Sequence, residues 1–367
     1  MLNDNRPLVS IVIKALNDEQ HIASAIESAL AALKKVDGEV VLADAASTDR
    51  TVEIAGRYPI KIVQLNDIRD QSCGAAAQLG FQHSRGRHIC LIDGDMTLRR
   101  GFLPAALRQL ENDAMLAGVG GIVVEAETGN REFMRHASRG EPDRRPGHVT
   151  HLDGGGLYRR AAIESVGYFT DRNLHGGEEA ELGARLRALG WTLERIDVPA
   201  IDHFRESGDA YALLLRRITS KVAYGSGETV RAALGRPHLP RLFDDNDTLK
   251  LCLLVQAWWA SILVCPLLIT SWPLALLAMA GLLGLPFAVM ALRQRSLHAG
   301  FYSVVAWNVD AVGFLPGFLH RRVSPTEWID STVVKDRTLM EALERLSIQR
   351  MTTASHVAQL MAQRAAS

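Results

Sequence analysis

The chain has 367 residues and carries 41 Lys plus Arg against 41 Asp plus Glu, a net charge of zero. That length allows one large domain or two ordinary ones. The charge balance excludes a nucleic-acid coat protein, so no nucleic-acid partner is expected, and 6% aromatic with 22% charged residues excludes the disordered, collagen-like and coiled-coil classes.

Met1 to Pro7 is polar and lacks the apolar core of a signal peptide. Val9 to Ile13 is a β-branched run that predicts a strand, followed by Asn17-Asp18 as the cap of a helix with Ile22, Ile26, Ala29, Leu30 and Leu33 on its apolar face. Glu39 to Ala43 and Lys61 to Leu65 read as further strands, with a helix near Val52 to Arg57 capped from Ser47-Thr48-Asp49. A helix over Gly74 to His83 precedes a strand over His88 to Ile92. This alternation implies an α/β fold, a mostly parallel sheet with helices on both faces. Gly129 to His151 holds Arg131, Arg135, Arg139, Arg144 and Arg145 and reads as a long loop. A helix starts near Glu178, and a strand lies near Leu193 to Asp197.

Between Arg205 and Arg241 lie seven basic and three acidic residues, and Tyr211 to Val222 reads as a basic amphipathic helix suited to a membrane surface. Leu251 to Leu292 is 42 residues without Asp, Glu, Lys or Arg. A crossing needs about 20 apolar residues, so two fit, turning at Ser271-Trp272-Pro273. Basic residues at both ends, including Arg293 and Arg295, place those ends in the cytoplasm. Phe301 to Leu319 is apolar but interrupted by Asn308, Asp310, Gly313 and Pro316; it reads as an interfacial segment or a third span. The boundaries expected are 1–208 for the α/β domain, 209–247 for the interface helix and linker, and 248–293 for the hairpin. A membrane-associated segment over 294–324 and a polar helical tail over 325–367 complete the chain. The four cysteines make no disulfide framework and no CxxC pair.

In an open parallel sheet, ligands bind at the carboxyl ends of the strands. Three predicted strand ends deliver polar groups there: Ala15-Leu16-Asn17-Asp18, Asp44 and Asp93-Gly94-Asp95. Two carboxylates separated by one glycine can face one hard cation that bridges a diphosphate; taken alone, such a triplet is a turn. Asp44 is placed to accept from a ribose hydroxyl or a base N–H, or to cap the next helix. Glu178, Glu179 and Glu181 either complement a helix dipole or supply a general base. His203 follows a strand and can complete a metal shell. No GxGxxG and no GxxxxGK[ST] is present, which argues against a dinucleotide dehydrogenase and a P-loop kinase.

Taken in order, these motifs resemble family 2 glycosyltransferases with the GT-A fold, of the membrane-anchored bacterial type, over roughly Pro7 to Gly227. Val9 to Asp18 is similar to that family's opening strand and Asn-Glu turn, and Asp44-Ala45-Ala46-Ser47-Thr48-Asp49 resembles its DGGSTD loop with both glycines replaced by alanine. Asp93-Gly94-Asp95 resembles its metal motif, Gly154-Gly155-Gly156 its sugar-pocket segment, Glu178-Glu179 its Glu-Asp pair, and His203 with Ser207 its late histidine segment. The resemblance implies a nucleotide-sugar site at Ala15, Asn17, Asp44, Asp93, Gly94, Asp95 and Gly155. It implies Mn2+ or Mg2+ held by Asp95, Asp93 and His203, and Glu179 or Glu178 as catalytic base. The expected reaction is inverting transfer of one sugar, UDP-linked by the family's habit, to a hydroxyl of a lipid-linked or other membrane-associated acceptor. It would take place at the cytoplasmic face of the membrane, against membrane lipids. Alternatives are transfer to polyprenyl phosphate itself and a nucleotide-sugar-binding scaffold without turnover. The Gln-x-x-Arg-Trp motif of processive synthases is absent.

Overall fold

The structure is a computed structural model and describes residues 6–125, 145–204 and 209–336. Most of the arginine-rich loop and Ser207 therefore lie outside the described residues. Ten strands form one sheet: β1 (Val9–Ala15), β2 (Gly38–Asp44), β3 (Lys61–Leu65), β4 (His88–Asp93), β5 (Met96–Leu98), β6 (Leu116–Glu125), β7 (Gly147–His148), β8 (Leu157–Arg159), β9 (Thr192–His203) and β10 (Ser331–Lys335). Their order is β10-β3-β2-β1-β4-β8-β6-β9-β5, with β7 on β9. Pairing is parallel through β3-β2-β1-β4 and again between β6 and β9. The remaining pairs are antiparallel, so the sheet is mixed.

Apolar runs such as Val9 to Ile13 become central strands because both sheet faces are covered. Successive side chains point to opposite faces. Ile11 and Ile13 pack with Ile22 and Ile26 of α1 (Ile22–Ala32), while Val12 packs on the other side with Leu91, Tyr158 and Phe169. The helix α3 (Cys73–His83) begins where Ser72 Oγ accepts the Ala75 N–H at 2.9 Å. Between these lies α2 (Thr51–Ala55), and further along the chain come α4 (Phe102–Asn112), α5 (Arg160–Ser165) and α6 (Glu178–Ala188).

One expected cap and one expected helix end differ. His21, not Asn17-Asp18, occupies the cap position of α1; Asn17 is left-handed at φ 59°, and the Asp18 carbonyl accepts the His21 and Ile22 N–H groups. The basic helix α7 (Ala210–Thr219) ends before Val222, because Lys221 turns left-handed at φ 61° and opens a 3-10 turn over Val222–Tyr224.

Beyond α8 (Gly225–Ala233) and α9 (Leu239–Asp245) come α10 (Asp247–Leu268) and α11 (Trp272–Gln294), of 22 and 23 residues. Among the described residues these two helices are long and apolar enough to cross a membrane, and most of their surface faces outward. At 1.5 Å per residue each reaches roughly 33 Å, the depth of a hydrocarbon core. Leu297–Leu319 forms a single helix, α12, which packs on α7, on the 3-10 turn and on α8. Gly313 and Gly317 lie against the Ala223 and Tyr224 carbonyls, and Gly227 against Phe314, so that any side chain at these three positions would collide with backbone. The polar groups that break the apolar pattern of α12 are partnered: Asp310 pairs with Arg217 at 2.9 Å, and Asn308 Oδ1 accepts the Trp259 indole N–H at 2.7 Å.

The tail departs from expectation. Instead of a polar helix from Pro325 onward, the chain returns to the α/β domain as β10, antiparallel to β3, with Ile329 fully buried beneath it. Gln82 anchors this return through both its amide groups, to the Ile329 N–H (3.0 Å) and carbonyl (2.9 Å). The sheet is therefore not confined to residues 1–208. Residues 337–367 lie outside the described residues.

Candidate active site

The register brings strand ends together: Ala15 is opposite Asp44, and Lys14 is opposite Asp93. Asp44 is fully buried; its Oδ2 accepts from the Ser47 N–H (3.0 Å) and Gln64 Nε2 (2.9 Å). Asp44 Oδ1 is buried without a partner. An orphaned acceptor is rare in a native interior, and at a strand end it suits a base N–H or ribose hydroxyl. Ala15 is buried there, its carbonyl accepting the Ala45 N–H at 2.8 Å. Asn17 shapes the neighbouring loop instead of leaving its amide oxygen unengaged. Its N–H donates to Ser47 Oγ at 2.9 Å, and its Oδ1 accepts the Thr48 N–H at 2.8 Å.

At the end of β4, Gly94 is the residue that lets Asp18 approach, because a side chain there would run into the Asp18 carboxylate. Burial raises the Asp18 pKa to about 7, with Asp95 and Asp93 adding to the shift and the Leu16 N–H opposing it. The short strand β5 pairs with the end of β9, Met96 opposite His203, and the Phe204 N–H donates to the Asp95 carbonyl at 2.9 Å. That pairing sets His203 Nε2 3.4 Å from Asp95 Oδ2. Outside it, Arg99 clamps Asp202 at 2.7 Å. The residues present thus fit a hard divalent cation: a carboxylate and an imidazole face each other, beside two carboxylates whose mutual repulsion a cation would relieve. Gly155 lies behind this group, its N–H donating to the Leu91 carbonyl at 2.6 Å.

Asp93 also belongs to a second cluster. Lys14 Nζ is 2.9 Å from Glu178 Oε1, 3.2 Å from Asp93 Oδ1 and 3.4 Å from Glu179 Oε1. Burial works against a charged lysine, but the three carboxylates prevail and hold its pKa well above the usual value. Burial pushes Glu178 up, with the Glu179 charge adding and Lys14 opposing. The two glutamates start α6 behind left-handed Gly177, and they differ in access: side-chain exposure is 4% at Glu178 and 20% at Glu179. A cavity of about 300 Å3 opens over Lys14, Ala15, Cys73, Asp93, Asp95 and His175.

All the expected site residues therefore gather at one sheet rim. Lys14 was not expected in it, and Asp18, expected at the rim, was expected as a helix cap and not against Gly94. The signal for Lys14 was a lone charge in an otherwise apolar strand; nothing in the sequence placed Asp18 over Gly94.

Residues 10–167 match the model described as Glycosyl transferase family 2. The low-salt glycan biosynthesis hexosyltransferase Agl6 of Haloferax volcanii is 36% identical over 118 residues, 31% of this chain and 28% of that protein. The succinoglycan biosynthesis protein ExoA of Rhizobium meliloti is 30% identical over 213 residues, 53% of this chain and 62% of its own length. The chain thus spans less than two thirds of either relative. Among solved structures, the mannosyltransferase PcManGT of Pyrobaculum calidifontis, in complex with GDP-Man and Mn2+, has a TM-score of 0.53 at 19% identity, covering 84% of this chain and 87% of that one. The fold is GT-A, and the domain at 10–167 belongs to glycosyltransferase family 2.

Proposed function

We propose that the protein transfers one sugar from a nucleotide-sugar, UDP-linked in the first instance, to a hydroxyl of a membrane-associated acceptor, with inversion at the anomeric carbon. The observation that carries this reading is the gathering of Asp93, beside Asp95, and Glu179 around one lysine. It unites a diphosphate-end metal motif with a base candidate from a distant part of the chain. Asp44 would receive the nucleoside through its orphaned oxygen, and Asp95 with His203 would hold Mn2+ or Mg2+. When bound, the cation would neutralise charge on the leaving diphosphate. Glu179, the more accessible of the two glutamates, would take the acceptor proton as the acceptor oxygen bonds to the anomeric carbon and the bond to the diphosphate breaks. Glu178, buried on Lys14, would position it.

The outward apolar surface of α10 and α11 supports a membrane-embedded hairpin. Two crossings return the chain to the side it left, as β10 requires, which favours α12 as a segment lying against α7 and α8 over a third span. The basic α7 would then lie at the head groups, on the cytoplasmic face by the charges flanking the hairpin. The acceptor reading, a lipid-linked saccharide or glycolipid, follows from that placement.

Calorimetric titration of the detergent-purified protein with UDP and with GDP, with and without Mn2+, tests the donor site. Metal-dependent UDP binding that disappears in Asp95→Ala is the expected result; binding of neither nucleotide would overturn it. Turnover onto polyprenyl phosphate that survives Glu179→Gln would replace the hydroxyl acceptor with a phosphate.

A further inference from the structure

A second cluster lies on the membrane side of the cavity. His175, three positions before Glu178, meets Glu228 of α8 and His320, the residue that ends α12. His175 Nδ1 is 2.8 Å and His320 Nδ1 3.6 Å from the same oxygen, Glu228 Oε1. The other oxygen, Oε2, accepts the His175 N–H at 2.9 Å. Hydrogen bonding explains half of this arrangement: the His175 contact is within reach, and the His320 contact is beyond it. The two imidazole planes stand at 80° with centroids 5.5 Å apart, and Tyr224 edges both rings, closing the cluster with an aromatic wall. Arg231 donates to the His320 carbonyl and fixes that residue's backbone. The ligand atoms of all three residues lie within 4.8 Å of one another.

We propose that His175, Glu228 and His320 bind a transition-metal dication of the zinc type, separate from the hard cation of the donor site. Two neutral imidazoles and one carboxylate are a ligand set that zinc accepts, with a fourth, tetrahedral position left for water. The donor site, with Asp95 and Asp93 beside the single imidazole of His203, is made of oxygen donors for the most part and suits Mn2+ or Mg2+ instead, so the two sites differ in the metals they select. The three ligands come from three parts of the molecule: the loop carrying the base candidates, the helix α8 and the end of α12. The ion would tie the end of the membrane-associated helices to the loop that positions Glu178 and Glu179.

The test is metal analysis of the full-length detergent-purified protein, passed over a desalting column in excess Mg2+, together with reconstitution by Co2+ in place of zinc. The proposal expects about one zinc per chain and the visible absorption bands of tetrahedral Co2+, with affinity lowered at least about tenfold, the scale even outer-shell changes reach, in His320→Ala and Glu228→Gln. His320 is partly exposed, and its truncation is not expected to unfold the chain. The wild-type cobalt spectrum decides the matter even if a variant fails to fold. Substoichiometric zinc with no tetrahedral cobalt bands, or unchanged binding in His320→Ala, would overturn it and leave a hydrogen-bonded cluster. UDP titration with Mn2+ on the same samples reads the donor site separately, so the two proposals can fail independently.

Discussion

Lys14 Nζ stands 2.9 Å from Glu178 Oε1, and the sheet register sets the same lysine opposite Asp93. One buried ammonium thus offsets the charge of carboxylates from two ends of the catalytic domain. Removing it leaves the Glu178 charge buried and uncompensated, which in other proteins costs about 3–5 kcal/mol. Lys14→Met is expected to lower stability by roughly that amount in denaturant titration. Adding Glu178→Gln should recover part of the loss, because the second change removes that stranded charge. Additive effects in the double variant would argue that the cluster is not coupled.

His203 is held beside Asp95 by the β5–β9 pairing, not by a bond to its ring alone. His203→Ala should therefore keep the fold while raising the Mn2+ concentration needed for UDP binding by about tenfold or more. EDTA should abolish nucleotide binding in the wild type. Calorimetry across a Mn2+ series reads both effects.

Ala46 has φ 62°, a conformation that costs an L-residue about 1–2 kcal/mol. Glycine adopts it without that strain but loses more chain entropy on folding. Ala46→Gly should raise stability by about 0.5–1 kcal/mol. A fall in melting temperature would show that packing of the methyl group against the Val41 and Val63 cluster outweighs the strain.

His238 is buried beside Glu181 and Arg185. Burial, then the Arg185 and Arg236 charges, lowers its pKa from 6.5 to about 4. Between those values the unfolded chain takes up a proton that the folded chain refuses, so this residue makes stability fall as pH drops from about 6.5 towards 4. Above pH 7 it contributes no slope. His238→Asn should flatten that limb of the stability curve, measured by unfolding at a series of pH values.

At Gly317 of α12 any side chain would meet the Tyr224 backbone. Gly317→Val should separate α12 from the 3-10 turn and α8, exposing the Arg217–Asp310 pair. Limited proteolysis in detergent is expected to cut the variant near residues 220–235 faster than the wild type.

The apolar strands and the carboxylates after them were legible because burial on both faces demands unbroken β-branched runs, and ligands collect where such strands end. The hairpin was legible because 42 residues without a charge admit few other readings. β5 and β8 are three residues each, too short for a period to show; β10 is as long as β3 but lies outside the strand–helix alternation, and what defines all three is pairing with a remote partner. The cap of α1 was misread for a related reason. Asp18 has the residue type of a cap, but its carboxylate is turned to the Leu16 N–H and its carbonyl serves the helix. Lys14 was in plain view, yet its three partners are brought to it only by the sheet register and by the fold around α6.

The return of β10 to the edge of β3 bears on the order in which the protein is made. A ribosome releases residues 331–335 after the whole apolar hairpin, so the catalytic sheet leaves synthesis with one edge open and the site for Ile329 unfilled. An open edge is a template for pairing with another chain. Completing the sheet therefore waits on translation of the hairpin: until residues 331–335 emerge, the chain presents two apolar helices and an unsealed strand at once. Any soluble fragment designed to end before α10 would inherit that exposed edge, and would need the 325–336 segment grafted back to stay monomeric.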